Sequence, residues 1–322
     1  MNKSSLILFF IFLFGLIIGS FLNALIWRLR EEIPLAPFKQ RGQANKSSLH
    51  KGDKGGLSGL LFGRSYCPKC RAQIKWYDNI PLLSFIILRG KCRSCGQTIS
   101  WQYPLVELLA GILFVAAFFI KAQKLFVSDY EFLIFNFKFL IEVVRDWFLI
   151  AAMIVIFVYD LRWYLILDIV TLPSAAILLV LNLTPVVLSC PSCFDWLSWP
   201  TSFQWLCFQC GNQFPNLWLY LISGIIGGSF FLLQFIISRG RWIGGGDIRL
   251  GLLIGLALGW PGVLMAIFLA YFMGSIVGLG LIAAGKKRWG SAVPFGVFLS
   301  TATIIVLFFG EEIVKWYFGL FN

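Results

Sequence analysis

Long apolar runs, separated by short polar stretches, dominate the chain. Eight of them stand out, at residues 5–27, 105–120, 147–159, 169–186, 216–238, 248–258, 263–284 and 293–310. A helix of roughly 20 predominantly apolar residues crosses a bilayer, so the pattern predicts an all-α polytopic membrane protein with about eight transmembrane helices. The sixth run is short for a full crossing. The stretch Ile80–Leu88 is too short to span and is interrupted by Pro81 and Ser84; it packs on its own domain or lies on the membrane surface. Residues 42–63, rich in Gly, Ser and Lys, read as a flexible loop.

The polar flanks set an orientation. Lys3 precedes the first run, whereas Arg28 and Arg30 follow it, which places the N-terminus outside by the positive-inside rule. A cleaved signal peptide has a shorter apolar region and a small-residue exit. Arg239, Arg241, Lys286, Lys287 and Arg288 then fall on the cytoplasmic side, residues 121–146 form a mixed-charge external segment, and residues 187–215, without a Lys or Arg, lie outside. The expected organisation is a first span (1–27), a basic cytoplasmic domain (28–104) and a membrane domain (105–322) with an inserted loop at 187–215.

Composition agrees. Hydrophobic residues make up 59% of the chain and charged residues 13%, against roughly 25% charged in soluble domains. The net charge of +12 raises nucleic acid as a partner, but residues 27–103 hold 14 Lys/Arg and 4 Asp/Glu, nearly all of the excess. A basic loop between spans is a topology signal and meets anionic headgroups. The implied partner is membrane lipid, not nucleic acid.

All eight cysteines lie in Cys-x-x-Cys pairs. Cys67, Cys70, Cys92 and Cys95 form one quartet, its pairs separated by 21 residues, in a compartment that keeps thiols reduced. Four thiolates complete a closed tetrahedral zinc site that holds a fold and leaves no open position for catalysis, so a small zinc-ribbon-like domain is expected. Cys190, Cys193, Cys207 and Cys210 form a second quartet, separated by 13 residues, in the external loop; zinc and disulfides both remain open for it. Trp196, Trp199, Trp205 and Trp218 nearby read as an interfacial aromatic belt.

Two acids stand at the ends of apolar runs. Asp160 closes the third and Asp247 opens the sixth, after Gly244-Gly245-Gly246. Two crossings separate them, so both face the same side, and flanking arginines make it the cytoplasmic one. An acid beside hydrocarbon is costly and marks a functional site by default. Two carboxylates at one depth share a proton, one acting as base on water while the other donates to a carbonyl oxygen. The alternatives are ion pairs with Arg162 and Arg249, or simple markers of the membrane edge.

Beyond these readings, the chain resembles the prepilin peptidases, the type IV leader peptidase family of membrane aspartic proteases. Gly244-Gly245-Gly246-Asp247-Ile248-Arg249-Leu250 is similar to the family's G-x-G-D-x-K-L, with Arg249 where Lys is usual. Asp160 and Asp168 match the two acids of its D-x-x-x-x-x-(I/L)-P-D, with Leu167 where Pro is usual. Gly19–Asn23, Tyr77–Ser84, Gly90–Cys95, Ile99–Glu107 and Pro294–Gly296 match in order as well. The resemblance implies Asp160 and Asp247 as the catalytic pair, with Gly244, Gly246, Asp168 and Arg249 in support. It implies cleavage of a prepilin or pseudopilin after a glycine at the cytoplasmic face of a bacterial inner membrane. It further implies N-methylation of the new N-terminus from S-adenosylmethionine, with Glu107 a candidate for that reaction or simply a helix-start acid. A basic leader is repelled by a basic domain, so recognition is expected to use local acids such as Asp78 or Glu107, or the substrate's helix. The rivals are an intramembrane protease with other substrates and a non-enzymatic zinc-ribbon scaffold.

Overall fold

The structure is a computed structural model, and it describes residues 3–32, 63, 65–124, 137–189, 217–286 and 293–319. Nine α-helices lie among them: α1 (Lys3–Glu32), α2 (Leu83–Ile87), α3 (Gln102–Lys124), α4 (Phe137–Trp163), α5 (Asp168–Ser189), α6 (Leu217–Ser238), α7 (Gly245–Leu258), α8 (Gly262–Ala283) and α9 (Phe295–Gly319). Each of the eight apolar runs falls on one long helix, and several helices extend beyond their run, most of all α4 at its start and α9 at its end. Five helices, α1, α3, α6, α8 and α9, are long and apolar enough to cross a bilayer. The 14 residues of α7 reach only about 21 Å. The chain divides into two compact units, residues 1–115 and 116–322.

In the first unit, α1 and α3 pack closely through glycines. A Cβ on Gly19 would stand 2.6 Å from the Glu107 Cα, and one on Gly15 2.7 Å from the Gly111 Cα. Helix–helix contact within lipid relies on such small residues, because lipid offers no hydrophobic driving force. Between these helices residues 65–100 form two matched knuckles. The amide of Cys67 donates to Ala72 and that of Cys92 to Gln97; the amides of Arg71 and Gly96 return to Cys67 and Cys92. Single antiparallel bridges, Tyr66 with Gln73 and Lys91 with Thr98, close each turn. Arg71 and Gly96, at equivalent positions, both take positive φ.

In the second unit, α7 is the centre. Its buried residues Leu250, Leu253, Ile254, Leu256 and Ala257 share one core with Leu149 and Met153 of α4, Leu178 of α5, Phe231 of α6, Val263 and Ala266 of α8, and Leu299 and Ala302 of α9. A helix that is apolar on all sides is a buried one. The tightest packing is against α6, where a Cβ on Gly255 would meet the Ser223 carbonyl oxygen at 2.1 Å. The far end of α7 is also held, since Asn182 Nδ2 donates to the Leu256 carbonyl over 2.8 Å.

The third run differs from its expected bounds. The mixed charges of residues 121–146 suggested an external segment, yet its first residues, to Lys124, belong to α3 and α4 begins at Phe137. The charges are neutralised inside the unit. Asp146, buried, binds Lys121 of α3 at 2.8 Å and Arg145 at 2.8 Å, and Lys121 also reaches Glu142 at 3.4 Å. Paired charges allow the helix to continue where unpaired ones would end it.

Candidate active site

Asp160 lies in the last turn of α4 and Asp247 in the first turn of α7, each one residue beyond an apolar run and outside the five candidate spans. Both are buried, at 4% and 8% exposure. Among the described residues neither has an ion-pair partner, and Arg249 pairs instead with Asp168 at the start of α5. The ion pair considered between Asp247 and Arg249 is therefore not the one formed.

Backbone amides hold both carboxylates. Asp160 Oδ2 accepts the N–H of Val297 over 3.1 Å, in the first turn of α9. Asp247 Oδ2 accepts the N–H of Gly244 over 3.0 Å and so caps its own helix. Free N–H groups and the positive end of the helix dipole favour an anion at such a terminus. One side chain joins the two positions. Ile166, in the turn between α4 and α5, lies where a Cβ on Gly246 would meet it at 2.8 Å and a Cβ on Gly296 at 3.2 Å; the latter Cβ would also stand 2.9 Å from Asp160 Oδ2. The α9 amides were missed by sequence reasoning, although Pro294 just before a helix start was the available signal.

Burial foremost, with the charge of Asp160, raises the Asp247 pKa to about 7 against the opposing Gly244 amide. Burial likewise raises Asp160 to about 6, opposed by the amides of Val297 and Gly296. Asp247 thus lies within the field of Asp160. Two such acids, both raised toward neutrality, are the arrangement in which one proton can be shared between a base and an acid.

In the first unit, the sulfurs of Cys67, Cys70, Cys92 and Cys95 all lie within 4.8 Å of one another. Cys67 Sγ and Cys95 Sγ are 3.9 Å apart, close to the roughly 3.8 Å edge of a tetrahedron with 2.3 Å zinc–sulfur bonds. The cluster fits one tetrahedral metal ion. The second quartet, Cys190, Cys193, Cys207 and Cys210, lies outside the described residues.

Glu107 is buried, and its Oε2 accepts the N–H of Leu82 over 2.9 Å. Leu82 has φ 58°, a left-handed backbone that a branched side chain takes at a cost. Asp78 receives the Arg93 guanidinium on both oxygens. The two acids considered for leader recognition are thus already engaged in holding the domain.

Two family models match this chain. The bacterial peptidase A24 N-terminal domain covers residues 13–121, and the type IV leader peptidase family covers 147–279. This chain belongs to the type IV leader peptidase family. Curated relatives named prepilin leader peptidase/N-methyltransferase include one from Aeromonas hydrophila, 30% identical over 95% of this chain and 92% of the relative. Another, from Legionella pneumophila, is 29% identical over 95% and 93%. A third, from Pseudomonas aeruginosa, is 27% identical over 95% and 91%. No solved structure matches this chain.

Proposed function

We propose that this membrane protein is a prepilin leader peptidase and N-methyltransferase, in which Asp160 and Asp247 are the catalytic dyad. The observation that carries the reading is a pair of buried carboxylates, each on helix N-terminal amides and with Asp247 in the field of Asp160, in a chain of this family. The ionised member takes a proton from water as its oxygen bonds to the scissile carbonyl carbon. The protonated member gives its proton to the carbonyl oxygen. Collapse of the tetrahedral intermediate returns that proton to a carboxylate and passes the other to the leaving amine. Because the acids titrate as one unit, neither is assigned a fixed role.

The substrate is a prepilin or pseudopilin whose apolar helix lies in the bilayer and presents the bond after its glycine at the cytoplasmic rim. Gly244 supplies the amide on Asp247, Gly246 lets Ile166 pack against the start of α7, and the Arg249–Asp168 pair ties that start to the start of α5. Zinc on the first quartet holds the knuckles together. S-adenosylmethionine supplies the methyl group for the new N-terminus. Glu107 supports that reaction by fixing Leu82.

The test is processing of a prepilin by the full-length protein in proteoliposomes, read by mass. Asp160→Asn and Asp247→Asn should each abolish cleavage while the protein accumulates normally. Processing by either variant at the parental rate would favour a scaffold over an enzyme. Cleavage without any methylated product in the presence of S-adenosylmethionine would remove the second activity alone.

A further inference from the structure

In the first unit, α2 carries an apolar face that no described residue covers. Phe85 turns inward, its ring 5.1 Å from that of Trp101. Ile86 and Ile87 are 70% and 69% exposed, and Leu83 and Trp101 are exposed beside them. An exposed cluster of large apolar side chains marks an interaction site.

Three observations say what it meets. The first is continuity. Trp101 stands immediately before α3, and the exposed Leu105, Leu108, Leu109 and Ile112 continue from it along one helical face. That helix is long and apolar enough to cross a bilayer, so the stripe faces lipid. The second is depth. The Leu82 amide, at the start of α2, is bound by Glu107, five residues into α3 and therefore about 7.5 Å along its axis. Interfacial helices bury their apolar face to a similar depth, about 5–10 Å into the headgroup–acyl boundary. The third is charge. Residues 65–100 hold six Lys/Arg and one acid, Asp78, which Arg93 already occupies.

We propose that α2 and Trp101 dock the cysteine domain onto the phospholipid bilayer, with Leu83, Ile86 and Ile87 in the acyl boundary and the domain's basic surface against anionic headgroups. The domain then lies along the membrane instead of projecting from it. This holds whether or not the aspartates cleave a peptide.

A photoreactive amino acid placed at Ile87 of the full-length protein, in nanodiscs of phosphatidylethanolamine and phosphatidylglycerol, tests this directly. Matched positions are Leu109, on the lipid-facing stripe, and Lys69, exposed on the first knuckle. After irradiation, mass spectrometry should find phospholipid adducts at Ile87 and Leu109, with several-fold less at Lys69. Unchanged zinc content in each variant reports an intact domain. Lipid adducts at Leu109 but none at Ile87 would overturn the proposal, as would adducts at Ile87 only to a second copy of the chain or to added prepilin.

Discussion

A methyl group at position 296 has no room, because it would press on the Asp160 carboxylate at 2.9 Å from Oδ2 and 3.1 Å from Cγ. Displacing a reacting group by an ångström typically costs about 100-fold in rate. Gly296→Ala should therefore lower prepilin cleavage by that order while the protein accumulates, as measured in proteoliposomes. Wild-type rates in that variant would show that Asp160 need not sit where the α9 amides hold it. The raised pKa values give a second outcome. The form with one proton on the pair is populated between about pH 6 and about pH 7. Cleavage should fall below this window, where the base is protonated, and above it, where the acid is lost. A rate that only climbs through pH 8 would contradict a shared proton.

Between helices, the closest approach is that of α6 and α7. Gly255→Ala forces a Cβ onto the Ser223 carbonyl, and overpacking of this kind costs about 1–3 kcal/mol. A lower unfolding temperature in detergent is expected. Removing Asp146 should cost more, up to about 3–5 kcal/mol, because half-buried Arg145 would lose its anion and Lys121 would keep only Glu142. Asp146→Ala should lower accumulation more than Gly255→Ala does. These cases also mark how far the sequence could be read. Apolar runs locate the eight long helices because a run of that length has few other solutions, and parity between runs puts Asp160 and Asp247 on one side. The start of α4 was hidden because Lys121, the partner of Asp146, belongs to another helix. The amides on Asp160 come from α9, 137 residues along the chain; Pro294 marks a helix start there but nothing local says which acid it meets.

At the scale of the whole chain, Cys67, Cys70, Cys92 and Cys95 belong to one compact unit and Asp160 and Asp247 to the other. Cys67→Ser with Cys92→Ser should remove one zinc per chain, measured by elemental analysis, and should impair methylation more than cleavage. Equal loss of both activities would mean that the second unit depends on the first for its fold. The overall charge of +12 makes one detail consequential. Among the described residues no Lys or Arg pairs with either aspartate; peptide dipoles take that place. On the proposed function, a substrate entering beside Asp160 and Asp247 would displace no cation borne by the described residues, because the dipoles that hold the two carboxylates belong to the backbone and stay in place.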